Sequence, residues 1–279
     1  MKKSILFVLS LIILGASSVQ ATDLRALNVQ NAKMYGGEDS TELRVNFDWF
    51  RDHKTFGGGT IDSRQQEINF PRIDIRQSCT TSPIPFRVGL NTAITGASSE
   101  LEANDNTFFE RSALGFNNLG LTLEAGLVQA DKVNITGYIN QNFALVHNQL
   151  LADNQLRPIT GSNAYGFQTG ALYQFDLADS LTWYGDIGYR FDVPERGEVE
   201  NSVVYYNEAV LALGSDDNFG LSVGLLGNSV YNNSVGTDLR LVPGLIVKVG
   251  EGQLRAGMPI GLTSDTPDLG VQVGYFSMF

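Results

Sequence analysis

Acid–base or nucleophilic catalysis needs a histidine, a hydroxyl or thiol and a carboxylate held together, and this chain offers only two histidines and one cysteine. His53 lies in the charged run Arg51-Asp-His-Lys54, and His147 is followed by Asn148 and Gln149. An acyl hydrolase would set a strand serine beside one of these histidines. A rim protease would add a carboxylate such as Asp52 or Asp153. Neither arrangement stands out, so both histidines read as solvated loop residues. No metal-ligand spacing and no cofactor motif is present, and the expectation is a protein that is not an enzyme. Cys79 has no second cysteine to pair with, and it is not placed to carry a lipid at a mature N-terminus.

A stronger signal comes from charges that alternate with apolar side chains. Arg44 and Asp48 are interleaved with Leu43, Val45, Phe47 and Trp49. Arg72, Asp74 and Arg76 are interleaved with Ile73 and Ile75, and Arg87 stands between Phe86 and Val88. Glu124, Asp186 and Glu208 occupy the polar face of later segments; Arg240, Lys248 and Arg255 occupy that of two near the end. Tyr138, Tyr184 and Tyr206 fall on the same polar face. One chemistry these residues could perform is solute passage. A basic wall facing an acidic one sets a transverse field that orients polar solutes and shapes ion selectivity, with the tyrosines as stacking surfaces. The other reading is that the charges pair and fill a narrow interior, with Asp48 and Asp74 satisfying neighbouring arginines. Both remain open on the sequence.

Alternation with period two makes the carriers of these residues β-strands with one apolar face. About twelve such segments run from Thr41 to Phe279, and connections on one side are short, at about 78, 130, 178, 216 and 251. Those on the other side are longer, including a polar stretch from Gly96 to about Phe116 and another from His147 to Ser162. An even strand count with short turns on one side and long loops on the other is the pattern of a transmembrane barrel. Phe47, Trp49, Phe86, Phe175, Trp183, Tyr189, Phe191, Phe219, Tyr275 and Phe279 cluster toward strand ends on the apolar face, as interfacial girdles do. A soluble β-sandwich also alternates but leaves those aromatics unexplained. Pro71 predicts a bulge in the second strand, and Pro243 and Pro259 count against regularity near the end. The expected fold is all-β, an antiparallel transmembrane β-barrel of about twelve strands.

Before the barrel, Met1-Lys-Lys, an apolar run from Ile5 to Leu14 and an ending at Val19-Gln20-Ala21 make a signal peptide over 1–21. Residues 22–40 show no alternation; they read as a periplasmic or lumenal segment, with a plain lead-in to the first strand preferred over a plug. The barrel is expected over 41–279. A formal net charge of −11 argues against a nucleic-acid partner.

The last strand, Asp268 to Phe279, carries Leu269, Val271, Val273, Tyr275 and Ser277 on one face, and Gly270, Gln272, Gly274, Phe276 and Met278 on the other. Its aromatic ending resembles the C-terminal signal by which the barrel-assembly machinery recognises outer-membrane barrels. The resemblance implies that Tyr275 and Phe279 form that signal and that the chain resides in the outer membrane of a Gram-negative bacterium, in contact with its lipid. Gly188-Tyr-Arg-Phe191, Val242-Pro-Gly-Leu245 and the stretch from Gly257 through Pro267-Asp-Leu-Gly270 to Phe279 resemble the C-terminal half of the family named for the MetA pathway of phenol degradation. This similarity covers about the last third of the chain. It implies a small barrel passing aromatic or other hydrophobic compounds. The function expected is a channel or transporter for small solutes. The alternatives are an outer-membrane enzyme acting on lipid or peptide, and an adhesive barrel whose loops bind a partner.

Overall fold

The computed structural model describes residues 24, 30, 32–34, 39–56, 61–80, 84–103, 106–116, 119–143, 164–194, 199–214, 218–230, 237–264 and 266–279. The signal peptide expected over 1–21, and His147 with its loop, lie outside these residues.

Strands β1 (Ser40–Phe56), β2 (Ile61–Cys79), β3 (Phe86–Ala103), β4 (Asn106–Phe116), β5 (Leu119–Gln129), β6 (Val133–Phe143) and β7 (Ala164–Ala178) follow one another around the wall. They are continued by β8 (Leu181–Pro194), β9 (Glu200–Leu213), β10 (Phe219–Val230), β11 (Thr237–Val249), β12 (Gly252–Gly257), β13 (Ile260–Gly261) and β14 (Leu269–Met278). Every pairing is antiparallel between neighbours, and β14 returns to pair with β1. The 14 segments make a closed barrel of 12 staves. One stave is β4 with β5, which pair with the two halves of β3. Another is β12 with β13, which share the partners β11 and β14.

Closure is made at the very end of the chain. The Thr41 N–H donates to the Phe279 carbonyl at 2.7 Å, and the Phe279 N–H donates back to Thr41 at 3.0 Å. The register runs from Glu42 opposite Met278 to Arg51 opposite Leu269. Hydrogen-bonding the last residue to the first strand removes the edges that an open sheet would expose to lipid, where no water can satisfy them.

Alternation then sorts the side chains. Leu123, Ile187 and Val223 are 52, 54 and 55 % exposed, whereas Thr122, Glu124 and Ser222 on the intervening positions are nearly inaccessible. Trp183, Phe86, Phe219 and Phe279 stand on the outer face near strand ends, and Tyr189 stands on it farther along β8. An apolar belt that continuous is stable facing lipid and not facing water. Among the described residues no helix is long and apolar enough to cross a membrane; this chain spans with strands.

Three sequence expectations change. The polar stretch Gly96–Phe116 is not an open loop: β3 runs on to Ala103, and β4 hydrogen-bonds back along it. Outside the lipid both faces of a hairpin meet water, so nothing forces apolar and polar residues to alternate. The run Arg51–Lys54, read above as solvated loop, is likewise strand, with β1 reaching Phe56 and β2 beginning at Ile61. Of the two late prolines only Pro259 interrupts the ladder, between β12 and β13, while Pro243 stays inside β11. The bulge expected at Pro71 is present, as a register shift between Asn69 and Arg72 against β3.

Candidate functional site

The interior is built from inward positions of neighbouring strands, and it is densest near the turn end, where the chain enters β1. There Arg87 on β3 lies opposite Glu124 on β5, and Arg76 on β2 lies opposite Gly89 on β3. Gly89 has no side chain, and a Cβ placed there would stand 3.1 Å from the Arg76 Cγ. The Arg76 stem therefore crosses β3 and its Nη1 reaches Glu124 Oε1. Arg87 holds the other carboxylate oxygen through Nε at 2.7 Å and through Nη2, and its Nη1 reaches Glu42 Oε1 at 3.0 Å. Arg76 also grips Asp74 through Nε at 3.0 Å and Nη2 at 3.2 Å. All these groups are buried or nearly so.

This cluster answers the question the sequence left open for Asp74, Arg76, Arg87 and Glu124. Glu124 does not face the arginines across the lumen; it belongs to the stave beside β3 and neutralises Arg76 and Arg87 there. Buried charges are tolerated only when so paired and hydrogen-bonded, because each one loses its hydration. Glu42, the fifth member, lay outside the expected set because it sits at the very start of the first strand.

The seam carries a second cluster. Phe276 is fully buried on the inward face of β14, with the Arg44 guanidinium 5.3 Å and the Arg255 guanidinium 5.6 Å from its ring centroid. Two cations on one desolvated ring are held by its quadrupole. Farther toward the loop end, Arg240 pairs with Asp238 at 2.9 and 2.5 Å and lies 5.1 Å from the Phe50 ring. Glu208 is buried on β9 and Lys248 half-buried on β11. Tyr275 and the exposed Phe279 stand on the outer face.

Of the residues before β1, Leu24, Gln30, Ala32 and Met34 contact inward-facing groups of the barrel. The Tyr184 hydroxyl donates to the Leu24 carbonyl at 2.7 Å, and the Leu24 side chain packs with Tyr184, Val210 and Ile246. Gln30 donates from Nε2 to Asp74 Oδ2 at 2.9 Å. Ala32 packs with Tyr138 and Leu172, and its carbonyl accepts from the Thr136 hydroxyl at 2.7 Å. The Met34 N–H donates to Gln129 Oε1, also at 2.7 Å. Leu24, Gln30, Ala32 and Met34 thus touch side chains on β8 to β11, on β2 and on β5 to β7. The sequence favoured a plain lead-in.

Between the segment and the loop end lies a chamber of about 270 Å³. Gln30, Asp74, Arg76 and Glu124 border it toward the turn end; Arg44 and Arg72 line one wall; Tyr138, Asp186 and Tyr206 line the facing one. Arg72 is half-exposed and pairs with Asp48 through Nη1 at 2.9 Å. On the other wall the Tyr138 hydroxyl donates to Asp186 Oδ1 at 2.7 Å and accepts from Gln168 Nε2 at 2.5 Å. Tyr138 reaches β8 from β6 because Gly170 faces it on β7, where a Cβ would stand 2.8 Å from the hydroxyl. Tyr184 does not join this chamber; it is occupied by Leu24. His53 sits on β1, and its backbone N–H donates to Asp268 Oδ2 at 3.0 Å. Among the described residues no group of three His, Cys, Asp or Glu side chains is placed to hold a metal.

No family model matches the chain, and no curated protein matches it. The similarity to the MetA-pathway family thus stays with its short motifs. Solved structures do resemble it. An outer-membrane channel of Pseudomonas putida F1, described as a COG4313 channel, aligns over 92 % of this chain and 100 % of its own at 10 % identity, with a TM-score of 0.63. The transport unit of the autotransporter AIDA-I from Escherichia coli aligns over 93 % of both chains at 8 % identity, with a TM-score of 0.52. At such identities the likeness is one of fold, and the fold it shows is that of outer-membrane β-barrels.

Proposed function

We propose that this protein is a non-catalytic outer-membrane channel of a Gram-negative bacterium, exported by its leader and assembled through its C-terminal strand. It passes small polar solutes, and the segment before β1 narrows its lumen. The observation that carries this reading is the pairing of an apolar outer belt with a polar chamber that the chain's own N-terminal segment borders. Apart from Leu172 and the tyrosines, every residue lining that chamber carries a charge, an amide or a hydroxyl, which favours polar solutes over the hydrophobic compounds implied by the family resemblance. The likeness of fold to a solved outer-membrane channel supports it further.

Planar-bilayer recording tests the proposal. The full-length protein is expected to give small, discrete ion-conducting steps, and deletion of 22–34 is expected to enlarge them several-fold while the barrel stays folded. Bilayers that remain sealed with both forms would overturn the channel reading.

A further inference from the structure

We infer that the chamber is a binding site for a small zwitterion of the amino-acid class, its carboxylate held by Arg72 and its ammonium by Asp186. This inference rests on the channel reading above and names the solute class of the same lumen.

Three observations lead to it. The first is size. At about 270 Å³ the chamber falls just below the ~300–1,000 Å³ of drug-sized ligand sites, so it fits a molecule of a few heavy atoms and not a lipid or an oligosaccharide.

The second is which charges are left over. Arg76 and Glu124 are consumed by the cluster near the turn end. Arg72 is different: among the described residues it makes one ion pair, through Nη1, and its Nε and Nη2 have no hydrogen-bond partner. Asp186 likewise uses Oδ1 for the Tyr138 hydroxyl; among the described residues it makes no ion pair, and the Arg76 guanidinium acts on it only at longer range. A guanidinium edge and a carboxylate oxygen are therefore both available to a ligand.

The third is their placement. Arg72 is on β2 and Asp186 on β8, five staves apart around a closed ring of 12, which sets them on opposing walls. Lone ions of either sign meet an attractive wall and a repulsive one. A molecule carrying both charges satisfies both walls at once, and its dipole aligns with the field between them. Tyr206, beside Asp186 on β9, presents a hydroxyl with no partner among the described residues, ready to share the ammonium.

Calorimetric titration of the detergent-solubilised full-length protein tests this with glycine, β-alanine, γ-aminobutyrate and 6-aminohexanoate, against propionate, propylamine and propionamide. One member of the amino-acid series is expected to bind about tenfold or more tightly than all three singly charged or neutral controls, as two charge-assisted contacts require. The chain length that binds best measures the gap between the walls. Arg72→Gln is expected to reduce that affinity to the level of propylamine, and Asp186→Asn to the level of propionate. Binding of propionate or propionamide as tight as that of the best amino acid overturns the inference, as does a series in which no member binds. The wild-type series decides the matter even where a variant does not fold. Conductance without zwitterion preference overturns this inference and leaves the channel standing; zwitterion binding by a barrel that does not conduct does the reverse.

Discussion

Arg76 meets Glu124 two staves away because Gly89, on the strand between them, leaves room for its stem. The same device recurs where Tyr138 passes Gly170 to reach Asp186. Bare backbone at these inward positions lets a long polar side chain choose a partner beyond its immediate neighbour. The interior is therefore a network woven across strands, and a single inward substitution disturbs three of them.

Glu124→Gln removes the one counter-charge that Arg76 and Arg87 share. Both guanidiniums then stay buried with reduced compensation, and stability is expected to fall by about 3–5 kcal/mol. Urea unfolding in micelles, followed by the heat-modifiable gel shift of folded barrels, reads the change. Gly89→Val tests the crossing itself; a side chain there crowds the Arg76 stem and is expected to cost about 1–3 kcal/mol. Equal stability of both variants and the wild type would show that the cluster is not what holds this end.

Phe276→Leu keeps the apolar volume at the seam but removes the ring between Arg44 and Arg255. Each desolvated cation–π contact is worth roughly 0.5–2 kcal/mol, so a loss of about 1–3 kcal/mol is expected. Phe276→Trp, which keeps a face for the cations, should lose less if it is accommodated. The ordering of the two variants in thermal unfolding checks the assignment.

Tyr184→Phe deletes the hydroxyl that holds the Leu24 carbonyl. A buried carbonyl without a donor costs about 1–3 kcal/mol, enough to raise the undocked fraction of the N-terminal segment about tenfold or more. Single-channel traces should show more frequent large openings, while the melting of the barrel itself stays unchanged. A variant whose traces match the wild type would mean that this bond does not secure the segment.

The wall of the barrel was legible in the sequence because lipid imposes a rule on every second residue. Leu43, Val45, Phe47 and Trp49 could only face outward together, and that sent Arg44, Asn46 and Asp48 inward. Where lipid is absent the rule lapses, which is why β3 and β4 above the belt looked like a loop. The seam was half legible. Tyr275 and Phe279 announced a terminal strand, but Phe276 on its inward face gave no sign of the two arginines it would hold.

The sequence by itself determined the fold and, within the lipid belt, the face each side chain takes, since these follow from a two-residue period and a hydrophobic exterior. Tertiary structure alone decided which charges pair and which stay available. Pairing depends on register between strands far apart in the chain, on a glycine left bare at the crossing, and on a segment without periodicity that enters the lumen. That is why Glu124 moved from a facing wall to the arginines' own side, while Arg72 and Asp186 kept free atoms on opposite walls.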